Sequence, residues 1–205
     1  MSSIKLTADS GGGTFEIKAP SSSGNTRVLT LPDTHNLTLN GGKILQVVAA
    51  NKTDTFSASA SNGTYHDITG LSVSITPSAT SSKILVSYKC TMSTANGGYS
   101  GRVRLVRYRA DLGTTAIYIG DASGSRSRCS SAMQADNDTI GHIKTRDLVG
   151  DFLDSPNTTV QLTYKLQYAS DYSNAFVYIG KSQEDSNAIY RPRTPSSITV
   201  MEVLA

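Results

Sequence analysis

In the stretch SKILVSYKCTM, Ile84, Val86, Tyr88 and Cys90 alternate with Leu85, Ser87, Lys89 and Thr91. A period of two belongs to an extended strand, whose successive side chains point to opposite faces, and one face here is apolar enough to line a core. The same period recurs from Lys43 onward in KILQVVAANKT, TFSASA, HDITGLSVSITPS, TTAIYIGD, VQLTYKLQY, AFVYIGKS and SSITVMEVLA, with Leu71, Val73 and Ile75 on one face of the third. Gly, Ser, Pro and Asn turns separate the runs, and helix formers are scarce, with only three glutamates, Glu16, Glu184 and Glu202. Helix is expected for a turn or two at most, around Arg146 to Leu153. The pattern predicts an all-β protein, an antiparallel sandwich or barrel-like sheet pair, with a jelly-roll-like β-sandwich as the expected form.

Residues 1–43 read differently. SIKLT, TFEIKA, RVLTL and NLTL are short strands with two or three apolar residues each, and Gly11 to Gly13 read as a hairpin turn. Such a segment cannot bury enough surface alone to offset its chain entropy, so it is expected to pack on partners as an anchor or stalk ahead of a globular head at residues 44–205. In the last strand, Ile198, Val200, Glu202 and Leu204 alternate with Thr199, Met201 and Val203. Apolar residues on both faces place it centrally in a sheet, with one side toward the core and the other toward a second sheet or a subunit. Val200 and Glu202 are therefore candidate subunit-interface residues.

The charge is nearly balanced, 19 Lys+Arg against 16 Asp+Glu, and spread along the chain, which does not point to a polyanionic partner. The exception is RVRLVRYR, with Arg102, Arg104, Arg107 and Arg109 in eight residues. In a regular strand Arg102, Arg104, Val106 and Tyr108 share one face, and Val103, Leu105, Arg107 and Arg109 the other. Either a bulge after Leu105 brings all four arginines together, or each face carries two. Neither arrangement, with Tyr108 as its lone aromatic, is a nucleic-acid grip; subunit or carboxylate contacts are expected instead.

No chemistry-bearing motif emerges. Cys90 and Cys129 are expected to be free, Cys90 as a small buried hydrophobe. His35, His66 and His142 lack metal-ligand spacing, no G-x-S-x-G elbow is present, and the glycine run is not followed by a phosphate-binding helix. The acids Asp136, Asp138, Asp147, Asp151 and Asp154 lie in turn-like sequences. No catalytic, cofactor-binding or metal site is expected, and no apolar stretch reaches membrane-spanning length, so membrane insertion is not expected either.

Two blocks of wording carry a resemblance: IKLTADSGGGTFEIKAPSSSGNTRVLTLPD, and the run from KILQVV through TDTFS, DITGLSVSITPSATSSKILV, RLVR, AIYIGDASGSR, FLDSPNTTVQLTYK and SSITVMEV. Together they resemble the structural fibre proteins of tailed bacteriophages, particularly those of marine and cyanobacterial phages. The resemblance implies a non-enzymatic virion protein assembled in the host cytoplasm as a homotrimer. Residues 1–43 would anchor it to other virion proteins, and its head would meet a host surface glycan or protein. Candidate binding residues are Tyr99 in NGGYS, Arg126 and Arg128 in SGSRSR, and Tyr172 in DYSN, because Tyr stacks on sugars and Arg pairs with anionic groups. The alternative is a capsid decoration protein, a head fibre or cement. A polysaccharide depolymerase using Asp151 and Asp154 is a third class.

Overall fold

The computed structural model describes residues 3–7, 14–18, 44–60, 62–95, 99–133 and 144–204. The chain divides into two units, Met1–Asn40 and Gly41–Ala205. In the first, β1 (Ser3–Thr7) pairs antiparallel with β2 (Thr14–Lys18), Ile4 opposite Ile17 and Leu6 opposite Phe15. The glycine turn and the runs RVLTL and NLTL lie outside the described residues.

The second unit contains β3 (Ile44–Lys52), β4 (Phe56–Ala60), β5 (His66–Ile75), β6 (Lys83–Thr94), β7 (Gly101–Arg109), β8 (Gly113–Ile117), β9 (Ser131–Met133), β10 (Arg146–Asp154), β11 (Leu162–Ser170), β12 (Ala175–Ile179) and β13 (Ser196–Val203). Strands β13 and β12 share one edge of β6 in succession, β10 takes its other edge, and β3 and β4 flank β13 and β12. The second sheet runs β5, β11, β7, with β8 and β9 sharing the far edge of β7. Counting β3–β4, β8–β9 and β12–β13 as interrupted single positions leaves eight positions in chain order. One sheet then reads first, eighth, third, sixth, and the other second, seventh, fourth, fifth. This is a jelly-roll order, and the all-β antiparallel sandwich is the one expected from the alternation.

The inner faces follow the sequence parity. Ile84, Val86, Tyr88, Cys90 and Met92 of β6 meet Val103 and Leu105 of β7, Leu162, Tyr164 and Leu166 of β11, and Ile198 and Val200 of β13 in one buried cluster. Each large side chain removed from water contributes roughly 1.5–3 kcal/mol, which makes this cluster the main stabilising term. Both cysteines are free, and burial pushes the Cys90 thiol up to about 12, so it behaves as the apolar filler its position implies. In β5, Ile68 and Leu71 are both buried although an odd separation puts them on opposite faces of a regular strand. A register shift against β11, with Gly70 at φ 87°, turns both inward.

Two expectations are corrected. The segment 146–154 is strand, not helical turn: Leu148 and Phe152 are four apart, which places them on one face under either period, and pairing with β6 along its whole length selects the extended form. The short strand β9 has no counterpart among the runs read as strands from the sequence. Of the two arrangements open for β7 the regular one holds, with no bulge after Leu105, since it pairs with β11 residue for residue from Gly101 to Tyr108. Finally, Val200 and Glu202 are fully buried in the chain's own interior and have no surface to offer a subunit. β13 is central, as its composition predicts, but these two residues occupy its inner face.

Cross-sheet polar links close the sandwich. Tyr88 lies over Gly150 of β10, where an added Cβ would come within 2.7 Å of its ring, and this close approach lets the Tyr88 hydroxyl donate to Ser131 Oγ of β9 at 2.7 Å. Ser131 in turn donates to the Val149 carbonyl at 2.9 Å.

Candidate functional site

The connections β4–β5, β6–β7 and β11–β12 gather at one end of the sandwich. The Gly63 N–H donates to the Ser170 carbonyl at 3.2 Å, and the Asn174 N–H to Ala60 at 2.9 Å. Asn174 sits at φ 63°, a left-handed turn position that Asn tolerates. Asp171 Oδ1 accepts the Ser100 N–H at 3.0 Å, and Thr94 Oγ1 donates to the Tyr99 carbonyl at 2.8 Å. Those bonds bring Tyr99 and Tyr172 together, ring centroids 4.7 Å apart and planes 26° from parallel. Tyr172 keeps 59% of its surface exposed. Two candidates from separate loops thus form one aromatic platform held by backbone anchors.

Arg126 and Arg128 sit on the β8–β9 connection and are engaged locally. Arg126 Nη1 donates to Ser123 Oγ at 2.8 Å, and Arg128 Nε to the Gly120 carbonyl at 2.6 Å. Both side chains remain exposed. A residue that sequence reasoning missed, Tyr65, ties this connection down by donating to the Arg128 carbonyl at 3.0 Å. Its only sequence signal is its place after the Asn62-Gly63 turn. Burial, then the neighbouring Cys129 thiol, raises the Tyr65 phenol, while Arg102 and Arg104 pull it back.

The four arginines of β7 divide by face, and three have partners within the chain. Arg104 stacks over the Tyr65 ring at 3.9 Å and donates to Gln167 Oε1 at 2.7 Å. Gln167 Nε2 and Lys165 Nζ then donate to the two oxygens of Asp67, completing a polar ladder across β7, β11 and β5. Arg107 points inward to Asp154, with Nη1 at 2.8 and 2.7 Å from its two oxygens. Arg109 closes on Asp111 in the β7–β8 turn at 2.6 Å. These contacts answer the carboxylate half of the expectation and leave Arg104, Arg107 and Arg109 committed inside their own chain. Arg102 lies on the outer face near Cys129, its Nε buried without a hydrogen-bond partner.

The acids do not form a facing pair. Asp151 lies on the outer face of β10, accepting from Ser87 Oγ at 2.5 Å, whereas Asp154, three residues on, faces the interior. Asp147 is also outward, bound by Thr91 Oγ1 at 2.5 Å, with Lys89 Nζ at 3.1 Å. Asp136, Asp138, His35 and His142 lie outside the described residues, and His66 sits at the start of β5, 5.7 Å from the Tyr168 ring. Among the described residues no group of three or more His, Cys, Asp or Glu converges to hold a metal ion.

The chain matches no protein-family model. It likewise matches no curated protein. Among solved structures it is similar to infectious bursal disease virus, Gt strain, with a TM-score of 0.41 and 14% identity over 94% of this chain and 47% of that one. It is also similar to the T13 viral particle of the same virus (TM-score 0.41, 12% identity, 94% and 42% coverage). A third likeness is to its VP2 subviral particle (TM-score 0.37, 13% identity, 78% and 38% coverage). The chain therefore spans less than half the length of each of these three.

Proposed function

We propose that this chain is a virion structural protein whose jelly-roll head attaches the particle to a host surface through the loop end that carries Tyr99 and Tyr172. The observation that carries the reading is the stacked tyrosine pair, with Tyr172 exposed and Tyr99 half-buried. It offers a rigid, amphipathic face at little conformational cost, which suits the ring of a sugar or an extended protein segment. The phage-fibre wording of the sequence supports the same reading. Replacement of Tyr172 by Ala is expected to weaken binding of the purified chain to host envelopes at least about tenfold, as loss of an aromatic anchor does, with an unchanged melting temperature. Binding equal to that of the parent chain would remove the platform from the attachment surface.

In this reading the protein is a homotrimer, anchored to other virion proteins by residues 1–43, so that three weak head contacts combine by avidity. Light scattering is expected to return three times the chain mass of 21.7 kDa; a stable monomer at working concentration refutes the trimer.

One observation favours the capsid decoration alternative. On the outer face of the first sheet Val47, Met201, Leu85 and Leu153 stand in register across β3, β13, β6 and β10, with Val47 and Leu153 exposed. An in-register apolar row on a solvent face suits contact with another protein. Antibody labelling of intact particles separates the two readings, since capsid labelling contradicts a tail-borne receptor binder.

A further inference from the structure

The connection from β12 to β13 leaves one position of the first sheet and returns to it sixteen residues later, over 180–195. Its stem is closed by backbone bonds, Gly180 N–H to the Thr91 carbonyl at 2.9 Å and Thr194 N–H to the Gly180 carbonyl at 3.0 Å. Tight turns from Ser186 to Arg191, with Ala188 N–H on Ser186 and Arg191 N–H on Ala188 at 2.9 Å each, shape a cleft of about 390 Å³. Asp185, Ser186, Asn187, Ala188, Arg191 and Arg193 line it.

The guanidinium of Arg191 is the unusual group. Its side chain is only 8% exposed, Nη2 donates to Glu184 Oε2 at 2.5 Å, and both Nε and Nη1 are buried with no hydrogen-bond partner. Buried guanidinium donors without acceptors are costly, and an oxyanion in the cleft would relieve that cost once Arg191 turns its Nε and Nη1 toward it, since both atoms are closed to solvent as the side chain stands. The neighbouring carboxylate does not, because Asp185 is taken by Arg193 Nη2 at 2.8 Å and Lys181 Nζ at 3.4 Å. Three cations, Lys181, Arg191 and Arg193, face two carboxylates, Glu184 and Asp185, so the cluster holds one excess positive charge. Tyr190, 71% exposed, lies with its ring 5.1 Å from the Arg191 guanidinium.

We infer that this cleft is a binding site for an oxyanion, a carboxylate, sulfate or phosphate, carried on a sugar-sized polar molecule, with Arg191 as its anchor. The volume suits a monosaccharide and the lining is polar, as such a ligand requires. Arg rather than Lys provides the fixed donor geometry that selects a planar or tetrahedral oxyanion. The inference goes beyond the tyrosine platform and stands independently of it.

The test titrates the full chain with sodium sulfate, sodium phosphate, sodium glucuronate and, as a neutral control, glucose, at constant ionic strength, reading the ¹⁵Nε resonance of Arg191. Saturable shifts are expected with the anions and none with glucose; stronger binding of glucuronate marks a uronate ligand, stronger binding of sulfate or phosphate an esterified one. Arg191→Gln is expected to weaken anion binding at least about tenfold, read by calorimetry. Glu184→Gln, which removes the competing carboxylate, is expected to strengthen it several-fold. No saturable shift with any anion, or parent-like binding in a folded Arg191→Gln chain, overturns the proposal. Should Arg191→Gln fail to fold, the Glu184→Gln chain decides, and unchanged or weakened binding there overturns it too.

Discussion

Replacing Asp154 by Ala is expected to destabilise the sandwich by about 3 to 5 kcal/mol, the loss that follows when one member of a buried ion pair is removed and the other stays behind. Asp154 ends β10 on the inner face of the first sheet and receives both Arg107, from β7 of the second sheet, and the Tyr164 hydroxyl at 2.7 Å. Burial, with the Asp154 carboxylate beside it, pushes the Tyr164 phenol well above its usual range, so it remains a donor throughout the accessible pH range. Tyr164→Phe removes one neutral donor to a charged acceptor and is expected to cost about 1.5 to 3 kcal/mol. The double replacement Arg107→Met with Asp154→Leu leaves no orphaned charge and is expected to be less destabilised than Asp154→Ala alone. Urea denaturation of the four chains measures all of this, and a change below about 1 kcal/mol for Asp154→Ala would show that the pair is not structural.

The second large effect belongs to Glu202, fully buried on β13. Burial raises its carboxyl, but the Ser78 hydroxyl, Gln46 Nε2 and the Ser78 N–H outweigh it, and the group is held at about 2 against an ordinary 4.5. The bonds are short, 2.6 Å from both Ser78 donors and 2.5 Å from Gln46. A folded-state pKa below the unfolded one contributes stability above pH 4.5 that is lost as pH falls toward 2. A shift of that size corresponds to about 3 kcal/mol. Glu202→Gln turns an NH₂ toward donors already present, so it is expected to lose about that much at pH 7 and to flatten the acid limb of the stability curve. Denaturation midpoints at pH 7, 4.5, 3 and 2 for both chains test it; parallel pH profiles would assign the acid sensitivity to other carboxylates.

The residues show where sequence reading succeeds and where it stops. The inner faces of β6, β11 and β13 and the membership of Tyr99 and Tyr172 in exposed connections are local properties, visible in parity and turn chemistry. That the two tyrosines stack is not, because it depends on Asp171 of one connection holding Ser100 of another, 71 positions away. β10 was ambiguous because Leu148 and Phe152 satisfy helix and strand spacing equally, and only the complete β6 ladder resolves it. Arg191 lies in a polar, proline-containing loop whose wording implies exposure, and nothing in YRPRTP signals a buried guanidinium.

The sequence by itself determined an all-β chain, the core-facing residues of its principal strands and the central place of β13, because a two-residue period acts between near neighbours. The tertiary structure alone decided which charges meet. Arg107 finds Asp154 across 47 positions and Glu202 finds Ser78 across 124, and such partners are chosen by the order of strands in the two sheets, a global property that no local spacing carries.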